Sequence, residues 1–145
     1  MVADLDQQDE RRYDGAIARE LANALLRVGG VQVAYLLGTG VRRALRFESD
    51  IDVGVASSNG PLDRPALRRI ATEMTGATGR PADVIDLRLA SVPILRAALV
   101  DGRRLFCLDR DLPLALLRRL VYETGDFLPY QRRLLERRCR RWIAT

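Results

Sequence analysis

The 145-residue sequence contains no histidine and no lysine, so all 24 of its basic residues are arginine. Without histidine, imidazole acid–base catalysis, Ser-His-Asp and Cys-His nucleophile systems and histidine metal sites are excluded. Without lysine, a phosphate-loop lysine and Schiff-base chemistry are excluded as well. Any catalysis is therefore left to carboxylates, hydroxyls, arginine and a hard cation.

Cysteines and long apolar runs are also scarce. Cys107 and Cys139 lack the spacing of metal ligands, and we expect reduced thiols. No apolar run reaches the ~20 residues of a membrane span. The first 12 residues are polar and acidic, unlike a signal peptide. We therefore expect a cytoplasmic protein with no membrane partner.

The composition favours one globular domain over residues 1–145, with 48% hydrophobic and 30% charged residues. The net charge of +5 is concentrated near the C-terminus, where residues 112–145 hold eight arginines against three acids. Arginine pairs recur, as at Arg103-Arg104 and Arg140-Arg141, but a charged stripe is typical of a solvated helix face. Few aromatic residues alternate with them, so the sequence does not favour a nucleic-acid partner.

Hydrophobic periodicity and turn residues predict an alternating order of helices and strands. Residues 1–12 are interpreted as a polar lead-in and residues 111–145 as a C-terminal helical extension. The expected helices are 17–28, 41–45, 65–74, 91–100, 111–122 and one that ends near residue 143; the expected strands are 31–37, 51–56, 82–87 and 104–108. This order predicts an α/β (α+β) domain, a small mixed β-sheet of about four strands flanked by helices.

The segment with the clearest chemical content is LLGTGVRRALRFESDIDVGV, residues 36–55. A strand leads into Gly38-Thr39-Gly40, where glycines let the backbone approach a ligand and free N–H groups of a following helix suit an anion. Asp50 and Asp52 follow, with apolar Ile51 and Val53 alternating around them. Residues i and i+2 of a strand project to one face, so both carboxylates can bind one ion, and Mg²⁺ with substrate phosphates is the natural choice.

These residues resemble a known signature. Gly38-Thr39, ten intervening residues and Asp50-x-Asp52 look like the motif of the DNA polymerase β nucleotidyltransferase superfamily. The size and the run from Ser49 to Val53 resemble the minimal nucleotidyltransferases, the MNT antitoxins that are paired with HEPN-domain toxins. The likeness extends to residues 82–87, 102–107 and the final helices, and it covers most of residues 15–140.

The resemblance implies a nucleotidyltransferase fold and a Mg²⁺-dependent protein adenylyltransferase. Such an enzyme transfers AMP from ATP to a hydroxyl, typically a tyrosine, of a cognate HEPN ribonuclease toxin. It also implies that Gly38, Thr39, Gly40 and Ser49 bind the nucleotide. Thr39 stands where the family has serine, Gly40 where many members have arginine, and Arg43 where many have glycine. Arg42 or Arg43 is then expected to supply the positive charge from a shifted position.

The third carboxylate of the family motif has two candidates in this sequence. Asp83 and Asp86 are three residues apart, so they face opposite sides of an extended strand. The resemblance aligns Asp83, followed by two apolar residues, with the third acid. Asp50, Asp52 and Asp83 are thus the expected catalytic and metal-binding residues, with Asp86 as the alternative or as a strand-end cap.

Two other functions stay open from the sequence. One alternative is an antitoxin that neutralises its toxin by binding with little or no catalysis, and the other is a small-molecule nucleotidyltransferase. It is not itself the HEPN ribonuclease, because that motif needs a histidine. Homo-oligomerisation is also left open.

Overall fold

The computed structural model describes residues 2–37, 50–125 and 136–137. Four α-helices and four strands are described in these ranges. In chain order they are α1 (Val2–Val28), β1 (Val33–Leu36), β2 (Ile51–Ala56), α2 (Arg64–Thr78), β3 (Ala82–Asp86), α3 (Val92–Arg96), a π-helical turn (Ala97–Asp101), β4 (Arg103–Cys107) and α4 (Asp111–Thr124).

The strands form one mixed sheet in the order β3-β2-β1-β4. β1 pairs antiparallel with β2 and with β4, whereas β2 pairs parallel with β3. A parallel pair needs a crossover connection, and α2 provides it between β2 and β3. The predicted four-stranded mixed sheet flanked by helices is confirmed.

Each face of the sheet has its own hydrophobic core. On one face, α1 and α2 pack against the alternating residues of β2, and the buried set includes Ile17, Leu21, Leu25, Ile51, Val53, Val55, Ile70 and Met74. On the other face, α3, the π turn and α4 pack against Val33, Tyr35 and Ala56, together with Leu87, Leu95, Leu99, Leu116 and Leu120. The central strand β1 is therefore buried on both sides, as its apolar sequence predicts.

Helix ends follow the residue types at their boundaries. Gly29 and Gly30 end α1 with φ of 74° and 79°, values that favour glycine. The Asp63 carboxylate accepts the N–H of Ala66 at 2.8 Å and caps the start of α2. Gly79 ends that helix in the left-handed region at φ 70°.

Several predicted boundaries are wrong. The expected polar lead-in is helical from Val2, so α1 begins well before Ile17. Helix α2 continues past its expected end at residue 74 to Thr78, where Gly79 stops it. The predicted helix 91–100 is two pieces, because the backbone changes to a π turn after Arg96.

The sequence predicts a helix over 111–122 with Asp111 as its N-cap, and Asp111 lies instead in the first turn of α4. Arg110 occupies the N-cap position, and the carboxylate of Asp109 binds the helix start, since its Oδ1 accepts the N–H of Asp111 at 3.0 Å. Since both aspartates are close to the helix start, the sequence did not distinguish them.

None of the helices within the described ranges is both long and apolar enough to cross a membrane. Cys107 has a free thiol. The predicted helix at 41–45, Cys139 and most of the last predicted helix lie outside the described residues.

Candidate active site

The end of β1 and the start of β2 lie side by side at one end of the sheet. The N–H of Leu37 donates to the carbonyl of Asp52 at 2.9 Å, and Leu36 is opposite Val53 in the strand register. Leu37, the last described residue before position 38, therefore lies beside Asp52, two positions after Asp50. This end of the sheet, formed by Leu37, Asp50, Asp52 and Asp83, is called the acidic end below.

Strand β3 adds a carboxylate at this position. Asp83 is the register partner of Asp52 in the parallel β2–β3 pair. Residues paired in register project to the same face of a sheet. Asp50 immediately precedes β2, two positions before Asp52, and both Asp50 and Asp83 are exposed. The fold thus places Asp50, Asp52 and Asp83, the three acids expected from the sequence, at the same end of the sheet.

The electrostatics of Asp52 reflect this clustering. Partial burial raises the pKa of Asp52 above 3.8, and the negative charges of Asp83 and Asp50 raise it further. Like charges that gather on one face are costly unless a cation or a proton compensates them. The arrangement is electrostatically suited to a divalent cation.

The sheet face next to Asp52 is closely packed. Gly54 lies on the same face of β2 as Asp52, and a Cβ atom at position 54 would come within 2.6 Å of the Leu87 side chain. Glycine therefore admits the fully buried Leu87 side chain onto this face of β2, two residues along the strand from Asp52. The acids therefore lie at the edge of the apolar core on this face.

Asp86, the alternative third acid, lies on the opposite face of β3. Its Oδ2 accepts the N–H of Leu62 at 2.7 Å, and its Oδ1 accepts the N–H of Arg88 at 2.9 Å. The residue is 5% exposed. Both oxygens bind backbone groups of loops that leave the far end of the sheet, so Asp86 is a loop cap.

The described acids do not form a closed metal cage. Among residues 2–37 and 50–125, no group of three or more Asp, Glu or Cys side chains is close enough to hold a metal ion by itself. The expected nucleotide-binding residues Gly38, Thr39, Gly40, Arg42, Arg43 and Ser49 lie outside the described residues. Mg²⁺ commonly takes only one or two carboxylates and completes its shell with water and phosphates.

Comparison with known proteins defines the class. Residues 19–111 match the family described as "Polymerase beta, Nucleotidyltransferase". The matched range contains the whole sheet and all three acids of the acidic end. The chain belongs to this nucleotidyltransferase family.

One curated relative is the protein adenylyltransferase MntA of Shewanella oneidensis. It is 28% identical to this chain over 81 residues, which are 56% of this chain and 58% of that protein. The chain therefore aligns with little more than half of the relative's length.

Solved structures of toxin–antitoxin complexes share the fold. A crystal structure of a toxin–antitoxin with AMP-PNP superposes with a TM-score of 0.60 at 22% identity, covering 72% of this chain and 86% of that one. A structure of a tri-AMPylated Shewanella oneidensis HEPN toxin in complex with its MNT antitoxin also gives 0.60 at 22% identity, covering 77% and 87%. At this identity the similarity demonstrates the fold alone.

Proposed function

We propose that this chain is an antitoxin of the MNT type that transfers AMP from ATP to a hydroxyl of a cognate HEPN ribonuclease toxin. The observation that carries the proposal is the register of Asp52 with Asp83, beside Asp50 and next to the start of the Gly38-Thr39 segment. A tyrosine hydroxyl is the expected acceptor, Mg²⁺ the expected cofactor and the cytoplasm the expected location.

The comparisons support the choice of substrate and partner. The curated relative is named as a protein adenylyltransferase. Structures with the same fold include a complex with AMP-PNP and a complex with a tri-AMPylated HEPN toxin. Family membership supports nucleotidyl transfer in general, and these relatives favour a protein acceptor over a small molecule.

The three acids have distinct roles in the proposed reaction. Asp50 and Asp52 would hold Mg²⁺ together with Asp83, which would also accept the proton of the attacking hydroxyl. When bound, Mg²⁺ supplies charge neutralisation for the carboxylates and the phosphate oxygens. A carboxylate base suits a chain that has no histidine.

The proposed transfer is a single displacement at the α-phosphorus of ATP. The acceptor oxygen forms a bond to the α-phosphorus of ATP, and the bond from that phosphorus to the bridging oxygen of the β-phosphate breaks. Pyrophosphate leaves with the bond electrons, and AMP remains on the acceptor. Gly38, Thr39, Gly40, Arg42, Arg43 and Ser49 are the proposed nucleotide-binding residues.

Mass spectrometry of the partner tests the proposal. The protein is incubated with Mg²⁺, ATP and the product of a neighbouring HEPN reading frame, and we expect the partner to gain the mass of one or more AMP groups. Substitution of Asp50 and Asp52 by alanine should lower transfer by at least about 100-fold, because two metal ligands are lost. Glu73→Ala, which removes an exposed carboxylate from α2, is the matched control and should retain transfer.

Two results would contradict the proposal. One is neutralisation of the partner without any mass gain, which would establish an antitoxin that acts by binding. The other is transfer to a small-molecule hydroxyl with an unmodified partner. Thermal unfolding of the double variant tells loss of chemistry from loss of fold.

A further inference from the structure

An irregularity in β4 determines which of two adjacent arginines shares a face with the acids. Strand β4 pairs with β1 as Val33 with Cys107 and Ala34 with Phe106, but then as Tyr35 with Arg104. Leu105 is the extra residue of a β-bulge at this register shift. Bulges are frequent beside active sites, where they redirect a side chain.

Regular alternation from Cys107 would place Leu105 and Arg103 on the face of Cys107. Instead, Cys107 packs against the core beneath α3 and α4, while Leu105 packs against the core of α1 and α2. The shift therefore assigns Arg104 to the face of Tyr35 and Arg103, the partner of Leu36, to the opposite face.

That face is the one that carries the acids. Tyr35 is the register partner of Gly54, which lies on the same face of β2 as Asp52. Asp52 in turn pairs with Asp83. Arg104, half-buried, thus brings a positive charge to the acidic face from the other side of β1.

The start of β4 is held in this position by a close backbone contact. A Cβ atom at Gly102 would come within 2.7 Å of the Leu36 carbonyl oxygen and 2.4 Å of the Ala98 carbonyl oxygen. Only glycine lets the π turn and the end of β1 approach so closely. Departures from regular α-helix of this kind are common at functional sites.

We propose that Arg104 binds the phosphate groups of the nucleotide at the acidic end. This inference rests on the proposed function, which supplies the nucleotide. A triphosphate and three carboxylates bring more negative charge than one Mg²⁺ neutralises, and the guanidinium is the side chain best suited to phosphate oxygens. Arg104 is level with Gly54, so it lies two strand spacings across the sheet and two residues along it from Asp52, about 12 Å at the backbone. A long arginine side chain with a phosphate chain bridges that distance.

The test compares Arg104→Gln with Arg103→Gln. Both variants remove one positive charge from β4, but from opposite faces, so net charge is matched. Titration calorimetry with Mg²⁺ measures binding of AMP-PNP and of AMP to each variant and to the unmodified chain. We expect Arg104→Gln to weaken AMP-PNP binding by about tenfold or more, because a charge-assisted contact is lost.

Arg103→Gln should stay within about twofold of the unmodified chain, because exposed charges contribute weakly. AMP binding should change much less than AMP-PNP binding in Arg104→Gln, because AMP lacks the β- and γ-phosphates. Arg104→Lys, which keeps the charge, should recover part of the AMP-PNP affinity that Arg104→Gln loses. If Arg104→Gln does not fold, Arg104→Lys takes its place and should bind AMP-PNP less tightly than the unmodified chain.

The outcomes separate the inference from the function on which it rests. If the unmodified chain does not bind AMP-PNP, the proposed function itself is contradicted. If it binds and Arg104→Gln binds equally well, the role of Arg104 is overturned while the function stands. Equal losses in both glutamine variants would also overturn it, because net charge alone would then explain the effect.

Discussion

The two ends of the sheet use the same residue type in different ways. At the acidic end, Asp52 lies among other carboxylates, and its pKa is raised by partial burial and by Asp83 and Asp50. At the far end, Asp86 and Asp109 accept hydrogen bonds from backbone N–H groups and a hydroxyl. The pKa of Asp109 is lowered, first by the hydrogen bond from Ser58 and then by that from the Asp111 N–H.

The difference separates structural acids from candidate functional ones. A carboxylate bound by N–H donors stabilises the loops that supply those donors, and its negative charge is already compensated. Carboxylates that face one another destabilise the fold until a ligand compensates them. The acids at the far end are expected to maintain the fold, and those at the acidic end to bind.

The largest expected contrast lies within β3, between Asp86→Ala and Asp83→Ala. Loss of the buried Asp86 leaves the N–H groups of Leu62 and Arg88 without their acceptor and should lower the free energy of unfolding by about 3 kcal/mol. Loss of the exposed Asp83 should change stability by less than about 0.5 kcal/mol. Urea denaturation measures both.

Ligand binding should show the reverse order. Asp83→Ala should lose the rise in melting temperature that Mg²⁺ and AMP-PNP confer on the unmodified chain. Asp86→Ala should melt at a lower temperature but retain that rise on ligand binding. Equal stability losses in the two variants would remove the distinction between the two ends.

A smaller effect, of opposite sign, is expected for Asp52→Asn. Neutralising this carboxylate relieves its repulsion with Asp83 and Asp50 and should stabilise the apo protein by about 0.5 kcal/mol at neutral pH. The pKa is raised on folding, so ionisation of Asp52 opposes folding above its folded pKa and has no effect well below 3.8. The stabilisation should therefore disappear in acid, and a variant less stable than the unmodified chain at pH 7 would contradict this account.

The smallest effect is expected for Asp109→Asn, beside the start of α4. Asp109 accepts the Ser58 hydroxyl at 2.6 Å and the Asp111 N–H at 3.0 Å. Because folding lowers its pKa, the ionised form stabilises the fold above 3.8, and this contribution is lost as the pH falls through the folded pKa.

Thermal scans over a pH series should show a slightly lower melting temperature for Asp109→Asn at pH 7 and convergence with the unmodified chain in strong acid. Ser58→Ala is the companion variant, since it removes the main cause of the shift. A difference that grows as the pH falls would contradict the assignment.

Much of the fold follows from local patterns. The alternation around Asp50 and Asp52 predicts strand 51–56 with its observed bounds, and Gly29-Gly30 ends α1 where expected. The start of α1 was missed because residues 2–12 lack an apolar face, and periodicity is the signal used to recognise a helix. The π turn was missed because the apolar periodicity of residues 91–100 does not mark the change from α-helix after Arg96.

The sequence by itself determined which classes of chemistry are excluded and which acids are candidates for the remaining ones. Three features can be recognised in the sequence alone: the absence of histidine and lysine, the spacing of Gly38-Thr39 from Asp50, and the strand alternation. Only the tertiary structure decided that Asp83 rather than Asp86 lies beside Asp52, and that Arg104 rather than Arg103 shares their face. Both depend on pairing between distant strands and on a bulge, and a shift of one residue in register exchanges the two faces of a strand.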